Sequence, residues 1–371
     1  MIVRRFEKPY AYYCHPLNKL LIPESSNFRL RSSNLLNHKT IIEAIKNYQK
    51  NFTMKVTDYI LESKGKTLFT FELLPPLKGE NIDSIYQTIE PLVEFNPSFV
   101  DVTYHREEVI FKEREDGLLE RRTVRKRPGT VAIAAAIKFK YGIDVVPHLI
   151  CGGFSQEETE NALIDLQFLG IDNILLIRGD NLRGEKQFKP EPDGHRFALD
   201  LVKQAVKLNA GIYLEEDILN PVPTNFCIGV AGYPEKHMES PNLATDLQYL
   251  KAKVDAGADY IVTQMFFDNS KYFEFVNACR ETGIHIPIIP GLKPISLKSQ
   301  LSTLPRTFSI DIPDELVKEV EKCTDTQQVR QVGVEWAIQQ SRELIKFGVP
   351  VLHFYTMGKS DNISKIAKAG F

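Results

Sequence analysis

One carboxylate stands out by its setting. Glu72 lies in the run Leu68-Phe69-Thr70-Phe71-Glu72-Leu73-Leu74-Pro75-Pro76, whose apolar side chains describe a buried strand and whose prolines stop it. A glutamate among such neighbours loses solvation, which favours its protonated form and raises its pKa. A carboxyl group of that kind holds a proton near neutral pH and can give it to a substrate. The same residues would also suit a strand-end Glu paired with an arginine or capping a helix, so both roles stand at this point.

Polar or aromatic groups close the other apolar runs in the same way. In order they are Thr103-Tyr104, His148, Arg178-Gly179-Asp180, Tyr233 with His237, Gln264, Gly291-Leu292-Lys293 and Tyr355-Thr356. Each alone fits a structural role: His148 as a satisfied core histidine, Tyr233 as packing. Together they exceed what folding requires and point to one active site. Gly179 lets the backbone approach a flat ligand, Arg178 offers a fork for phosphate, and Asp180 is a second carboxylate for a ligand's N–H groups. Asp246 and Lys253, seven apart with Leu250 between them, share one helix face. That face is either exposed or, if it meets the Tyr233–His237 loop, suited to a ribose and a phosphate.

The elements that must position these residues alternate from about residue 66 onward. Strands are expected at 67–74, 99–104, 144–150, 173–178, 226–231, 260–266, 286–290 and 350–355. Helical spacing fills 80–95, 130–141, 155–169, 195–208, 242–257, 269–282, a long region at 313–347, and 360–369. Thr130 reads as an N-cap, and Ser155 with Glu158 as a capping box. Eight strands with eight crossovers predict an α/β fold, a (β/α)8 TIM barrel, in which chemistry gathers at the C-terminal strand ends. A doubly wound sheet is the alternative, but it calls for a Gly-rich first turn, and the sequence holds no GxGxxG.

Composition excludes several classes. With 371 residues, 43% hydrophobic content and net charge −2, nothing calls for nucleic acid or an anionic membrane as partner. No apolar run approaches the ~20 residues of a membrane span. Cys14, Cys151, Cys227, Cys279 and Cys323 are scattered without a CxxC pair, and the eight histidines include no HExxH. No metal site is expected, and the thiols suit a reducing cytoplasm.

Two stretches stand apart. Residues 1–53 carry nine Lys or Arg against three Asp or Glu and no sustained period. They are expected to be a poorly ordered or mis-annotated extension (a transit peptide, a docking arm, or sequence upstream of a true start at Met54), with 54–371 as the catalytic barrel. Residues 106–127 hold eight basic and six acidic side chains and read as a solvated loop. On a barrel that loop shares a rim with Glu72, where it could act as a lid.

The segments FELLPP, VDVTYH, PHL, LLIRGD, AGYPEKH, KAKVDAGADYIVTQMFFD, IPIIPGLKP and HFYTM, in this order, resemble the methylenetetrahydrofolate reductase family. The similarity runs from about residue 66 to the C-terminus. It implies a barrel that binds FAD without a Rossmann motif and takes hydride from NADH or NADPH. The hydride then reduces 5,10-methylenetetrahydrofolate to 5-methyltetrahydrofolate, a small-molecule folate and nicotinamide using one site in turn. By this resemblance Glu72 is the general acid, Asp180 the carboxylate near pterin and flavin, and Gln264 the substrate amide ligand. Thr103, Tyr104, His148, Arg178, Gly179, Asp180, Phe197, Ala198, Tyr233, His237, Asp246 and Lys253 fall on flavin-contact positions. Gln300 and Lys359 fall where the family contacts substrate or nicotinamide. Leu73-Leu74, Phe197, Ala252 and Leu304 depart from residues common in the family, altering pocket packing and phosphate or stacking contacts. Homo-oligomers are common in the family. A different flavin barrel oxidoreductase, or a non-catalytic homologue that binds flavin or folate, are the alternatives, and the intact acid, Asp180 and Gln264 weigh against the second.

Overall fold

The computed structural model describes residues 53–370 apart from 182–184 and 186. The extension expected at 1–53 lies outside the described residues except for Thr53. The chain enters through a short helix, α1 (Val56–Glu62), that the sequence pattern does not single out. The barrel follows as β1 (Leu68–Leu73), α2 (Asp83–Val93), β2 (Phe99–Val102), α3 (Thr130–Tyr141), β5 (Asp144–Ile150), α4 (Gln156–Phe168), β6 (Asn173–Ile177) and α5 (Ala198–Asn209). It continues through β7 (Cys227–Gly232), α6 (Leu243–Asp255), β8 (Tyr260–Thr263), α7 (Asn269–Glu281), β9 (Ile288–Ile289), β10 (Gly291–Leu292), β11 (Val351–Tyr355) and α11 (Asp361–Gly370). Between β10 and β11 stand α8 (Gln300–Phe308), α9 (Asp314–Lys322) and α10 (Thr326–Phe347).

The parallel sheet runs β10-β11-β1-β2-β5-β6-β7-β8-β9. Its two end strands are halves of one stave, split at Pro290, which brings no amide hydrogen to a ladder: β9 lies in the stretch expected at 286–290, and β10 lies beyond it. The ring closes across that break. His353 donates its amide to the Pro290 carbonyl at 3.1 Å, and Gly291 donates to the Thr263 hydroxyl at 3.0 Å. With β9 and β10 counted as one stave, the expected eight are present.

Residues on each stave alternate between two apolar layers. Phe69, Phe71 and Leu73 of β1 pack outward with Val100, Val102, Leu352 and Phe354 beneath the helices. Phe99, Val146, Leu175, Tyr260, Ile289 and Val351 fill the inside of the ring, with Val56 of α1 packed among them. α1 is tied to the barrel floor by hydrogen bonds. Asp144 Oδ2 accepts from the Met54 amide and the Tyr59 hydroxyl, both at 2.9 Å, and Asn173 Oδ1 accepts from the Val56 amide at 2.9 Å. Thr70, Glu72, Asp101, His148 and His353 therefore occupy inward positions, and the last four of these carry ionisable groups.

Three local expectations change. Residues 106–127 are not a loop: β3 (Glu108–Glu113) and β4 (Leu119–Val124) form an antiparallel hairpin, with Lys112 opposite Glu120. Both of its faces are wet and charged, so no alternation marks it. The region 313–347 is two helices, separated where Asp325 caps α10 by accepting from the Gln328 amide. Thr130 is the first residue of α3, after Gly129 as N-cap, and its hydroxyl donates to the His148 carbonyl at 3.3 Å. The capping box of Ser155 and Glu158 forms as expected.

Candidate active site

Glu72 ends its stave with the carboxyl group inside the ring, its side chain 15% exposed. Burial lifts its pKa to about 7; His148 pulls it down and Asp101 pushes it further up. His148 Nε2 lies 3.9 Å from Glu72 and 3.1 Å from Asp101 Oδ2, in hydrogen-bond contact with the latter. Burial alone would depress the imidazole, but the Asp101 hydrogen bond and the charges of Glu72 and Asp101 raise its pKa above the ordinary value. The imidazole thus stands between two carboxyl groups drawn from β1 and β2, both of which favour its protonated form. Beneath it, His353 lies 3.9 Å from Asp101 Oδ1 and shares a 2.9 Å hydrogen bond with the Thr70 hydroxyl. Burial lowers the His353 pKa, outweighing Asp101.

Asp101 and His353 were not among the residues expected at the site. A signal for them exists: each is a lone ionisable side chain within an otherwise apolar strand, FVDV and VLHFY. Such a group is retained in a core only when partnered.

Around this column the rim holds the sequence-predicted residues. Thr103 donates its hydroxyl to the Leu73 carbonyl at 3.2 Å, and the Tyr104 ring lies 4.9 Å from that of Phe154. The Gln264 side-chain Oε1 accepts from the Met265 amide at 2.9 Å. Asp180 is exposed, and its charge is felt at His105 and Tyr233. Gly179 has φ +83°, and a Cβ there would meet the Ile150 side chain at 3.1 Å, so the turn into Asp180 favours glycine. Phe197 occupies the N-cap position of α5, half exposed, with Ala198 as the first helical residue.

The Arg178 fork is engaged by Glu239 through both terminal nitrogens, with the Phe188 ring 5.1 Å from the guanidinium carbon. A carboxylate from 61 residues away thus takes the place foreseen for phosphate. Asp246 and Lys253 prove not to be a free surface stripe. Asp246 accepts from the His237 amide at 2.9 Å and the Ser240 hydroxyl at 2.7 Å, pinning the loop in which Tyr233 and His237 meet edge to face. Lys253 donates to the Ala231 carbonyl at 2.6 Å, and burial pushes its pKa down to about 8 against the pull of Asp246.

Gln300 and Lys359 line a separate cleft of about 260 Å³ together with Lys293, Arg330, Tyr355 and Thr356. The Gln300 side-chain Oε1 accepts from the Ser296 and Leu297 amides at 2.7 and 3.2 Å. Thr356 joins this cleft to the acid's strand by donating its hydroxyl to the Glu72 carbonyl at 2.7 Å.

Comparison with known proteins identifies the family to which the barrel sequence belongs. A family model described as methylenetetrahydrofolate reductase matches residues 55–370. The Arabidopsis thaliana methylenetetrahydrofolate reductase (NADH) 1 is 33% identical over 85% of this chain and 50% of its own length. The Escherichia coli 5,10-methylenetetrahydrofolate reductase is 31% identical over 81% of this chain and 90% of its own. A probable methylenetetrahydrofolate reductase (NADPH) of Caenorhabditis elegans is 31% identical over 83% and 43%. The chain spans about half the length of the plant and animal relatives it matches. Among solved structures, a Clostridium thermocellum protein described as binding two copies of 5-methyl-5,6,7,8-tetrahydrofolic acid aligns with TM-score 0.50. That alignment has 14% identity over 85% of this chain and 98% of that one, a likeness of fold alone. By its sequence match across the barrel, this chain belongs to the methylenetetrahydrofolate reductase family.

Proposed function

We propose that the protein reduces 5,10-methylenetetrahydrofolate to 5-methyltetrahydrofolate with NADH or NADPH through FAD, folate and nicotinamide taking one site in turn. The observation that carries this is Glu72, a carboxyl group with a pKa near 7 inside the barrel mouth of a chain of this family. The rim residues are compatible with a flavin: Gly179 makes the left-handed turn that carries Asp180 onto the rim, Arg178 keeps a buried Nε without a hydrogen-bond partner, and Lys253 and His237 flank the β7 loop. When bound, FAD would carry the hydride from nicotinamide to the folate carbon.

The chain's own part is orientation and proton transfer. Protonated Glu72 gives its proton to the nitrogen leaving the methylene bridge, which opens to an iminium carbon able to accept hydride. The carboxylate so formed lies beside His148, whose charged form it favours, while Asp101 holds the imidazole in place. Gln264 and Asp180 would orient the pterin; Thr103, Tyr104, Phe197, Ala198 and Tyr233 would contact the flavin. Gln300 and Lys359 would meet the rest of the folate or the nicotinamide nucleotide. The free thiols of Cys151, Cys227, Cys279 and Cys323 support a cytoplasmic setting, and residues 54–371 are the proposed catalytic unit.

Purified protein is expected to be yellow, bleached by NADH or NADPH without oxygen, and recoloured by 5,10-methylenetetrahydrofolate. A colourless protein would indicate a non-catalytic homologue. One that bleaches but ignores folate would be a different flavin barrel oxidoreductase.

Because the protonated form of Glu72 acts, the folate half-reaction is expected to slow about tenfold per pH unit above about 7. Stopped-flow recolouring traces across neutral pH check this, and a rate that climbs with pH would give Glu72 the role of a base. Asp180→Asn is expected to slow recolouring about tenfold or more by removing the charge beside pterin and flavin. Unchanged flavin and folate kinetics in that variant would take Asp180 out of the site.

A further inference from the structure

Arg178 and Glu239 join two loops that each carry proposed flavin contacts. Arg178 and Gly179 follow β6, Tyr233 and His237 follow β7, and the Glu239 carboxylate reaches across to both terminal nitrogens of the guanidinium. The Phe188 ring lies 5.1 Å from the guanidinium carbon, and the buried Nε is the one nitrogen left without a partner.

The loop does not depend on this pair for its shape. Asp246 fixes the backbone on both sides of Glu239, accepting from the His237 amide at 2.9 Å and the Ser240 hydroxyl at 2.7 Å. The Glu239 amide itself donates to His237 Nδ1 at 3.1 Å. What remains free to move is the Glu239 side chain, which is 39% exposed. An ion pair with one partner so wet adds little to stability, and its carboxylate returns to water at small cost. Arginine takes carboxylates and phosphates through the same planar fork. A diphosphate brings more charge and more acceptor oxygens to that fork than one carboxylate does, and a carboxylate left beside it would repel it.

We propose that Glu239 is a built-in stand-in for the flavin diphosphate: it holds the Arg178 fork before FAD arrives, swings out as the diphosphate takes its place, and so sets how tightly the cofactor is kept. This rests on the flavin part of the reading above.

Flavin titrations of the full chain stripped of flavin test it, with FAD and with riboflavin, which has the ring system but no diphosphate. Glu239→Gln should bind FAD about tenfold more tightly than wild type, while riboflavin binds the two proteins within about twofold. Glu239→Ala, which keeps no group able to bond the guanidinium, should tighten FAD at least as much. Loaded with FAD and diluted, both variants should shed it more slowly than wild type. FAD affinity unchanged or weakened in both variants would make Glu239 a strut that positions Arg178, and an equal gain for riboflavin would make the effect one of overall charge; either result overturns the proposal. These readouts need no turnover. Variants that keep FAD more tightly in a protein that never reduces folate would refute the reductase reading and leave the stand-in, whereas a chain that binds no FAD sinks both.

Discussion

Glu72→Gln is expected to leave the flavin bound and bleached by NADH while recolouring by folate falls about a thousandfold or more. Glutamine keeps the shape and a hydrogen-bonding tip, but it has no proton to give to the departing nitrogen. The same variant carries a stability signature whose sign follows from burial. Glu72 is raised from 4.5 to about 7 in the fold. Between those values the native state holds a proton that the unfolded chain has lost, so stability falls as pH rises through the window. The full cost, roughly 3 kcal/mol by linkage, is present above pH about 7. Glutamine has no charge to desolvate, so the variant should be the more stable protein at about pH 8 and lose that advantage by about pH 4.5. Paired melts at the two pH values test this. Normal folate turnover would remove Glu72 from its role, and a variant less stable at the higher pH would show that the ionised form is the one the barrel favours.

Gly229→Val is expected to cost about 3 kcal/mol, or to prevent folding altogether. Gly229 pairs with Tyr260 across β7 and β8, and a Cβ there would lie 2.4 Å from the Tyr260 ring and 2.6 Å from its hydroxyl oxygen. That ring is fully buried inside the barrel, and its hydroxyl donates to the Ile174 carbonyl at 3.3 Å. It has no empty space to turn into. The melting temperature should drop by roughly 4–5 °C. A variant that melts with its parent would mean the tyrosine can vacate the interior.

The staves were legible because a parallel barrel strand is covered on both faces and so reads as an unbroken apolar run. Ser155 and Glu158 announced a helix start because both partners of the capping box lie within one turn. Residues whose meaning depends on ring closure were harder to read. His148 meets Asp101 across 47 positions and Thr70 meets His353 across 283, so neither contact leaves a local spacing to detect. Glu72 could be singled out by its own setting, whereas the imidazole and second acid that tune it could not be assigned as its partners. The Arg178 fork looked ready for phosphate because Glu239, its carboxylate partner, comes from another loop. α1 escaped notice because seven residues are too few to establish a period, and its apolar contacts, made through Val56, Tyr59 and Ile60, are with strand residues far along the chain.

The stave broken at Pro290 carries a mechanical consequence. Its halves are held to β8 and β11 by ladders two residues long, the shortest pairings around the circumference. Elsewhere three to five rungs share the load. Opening the hoop is therefore cheapest at this seam.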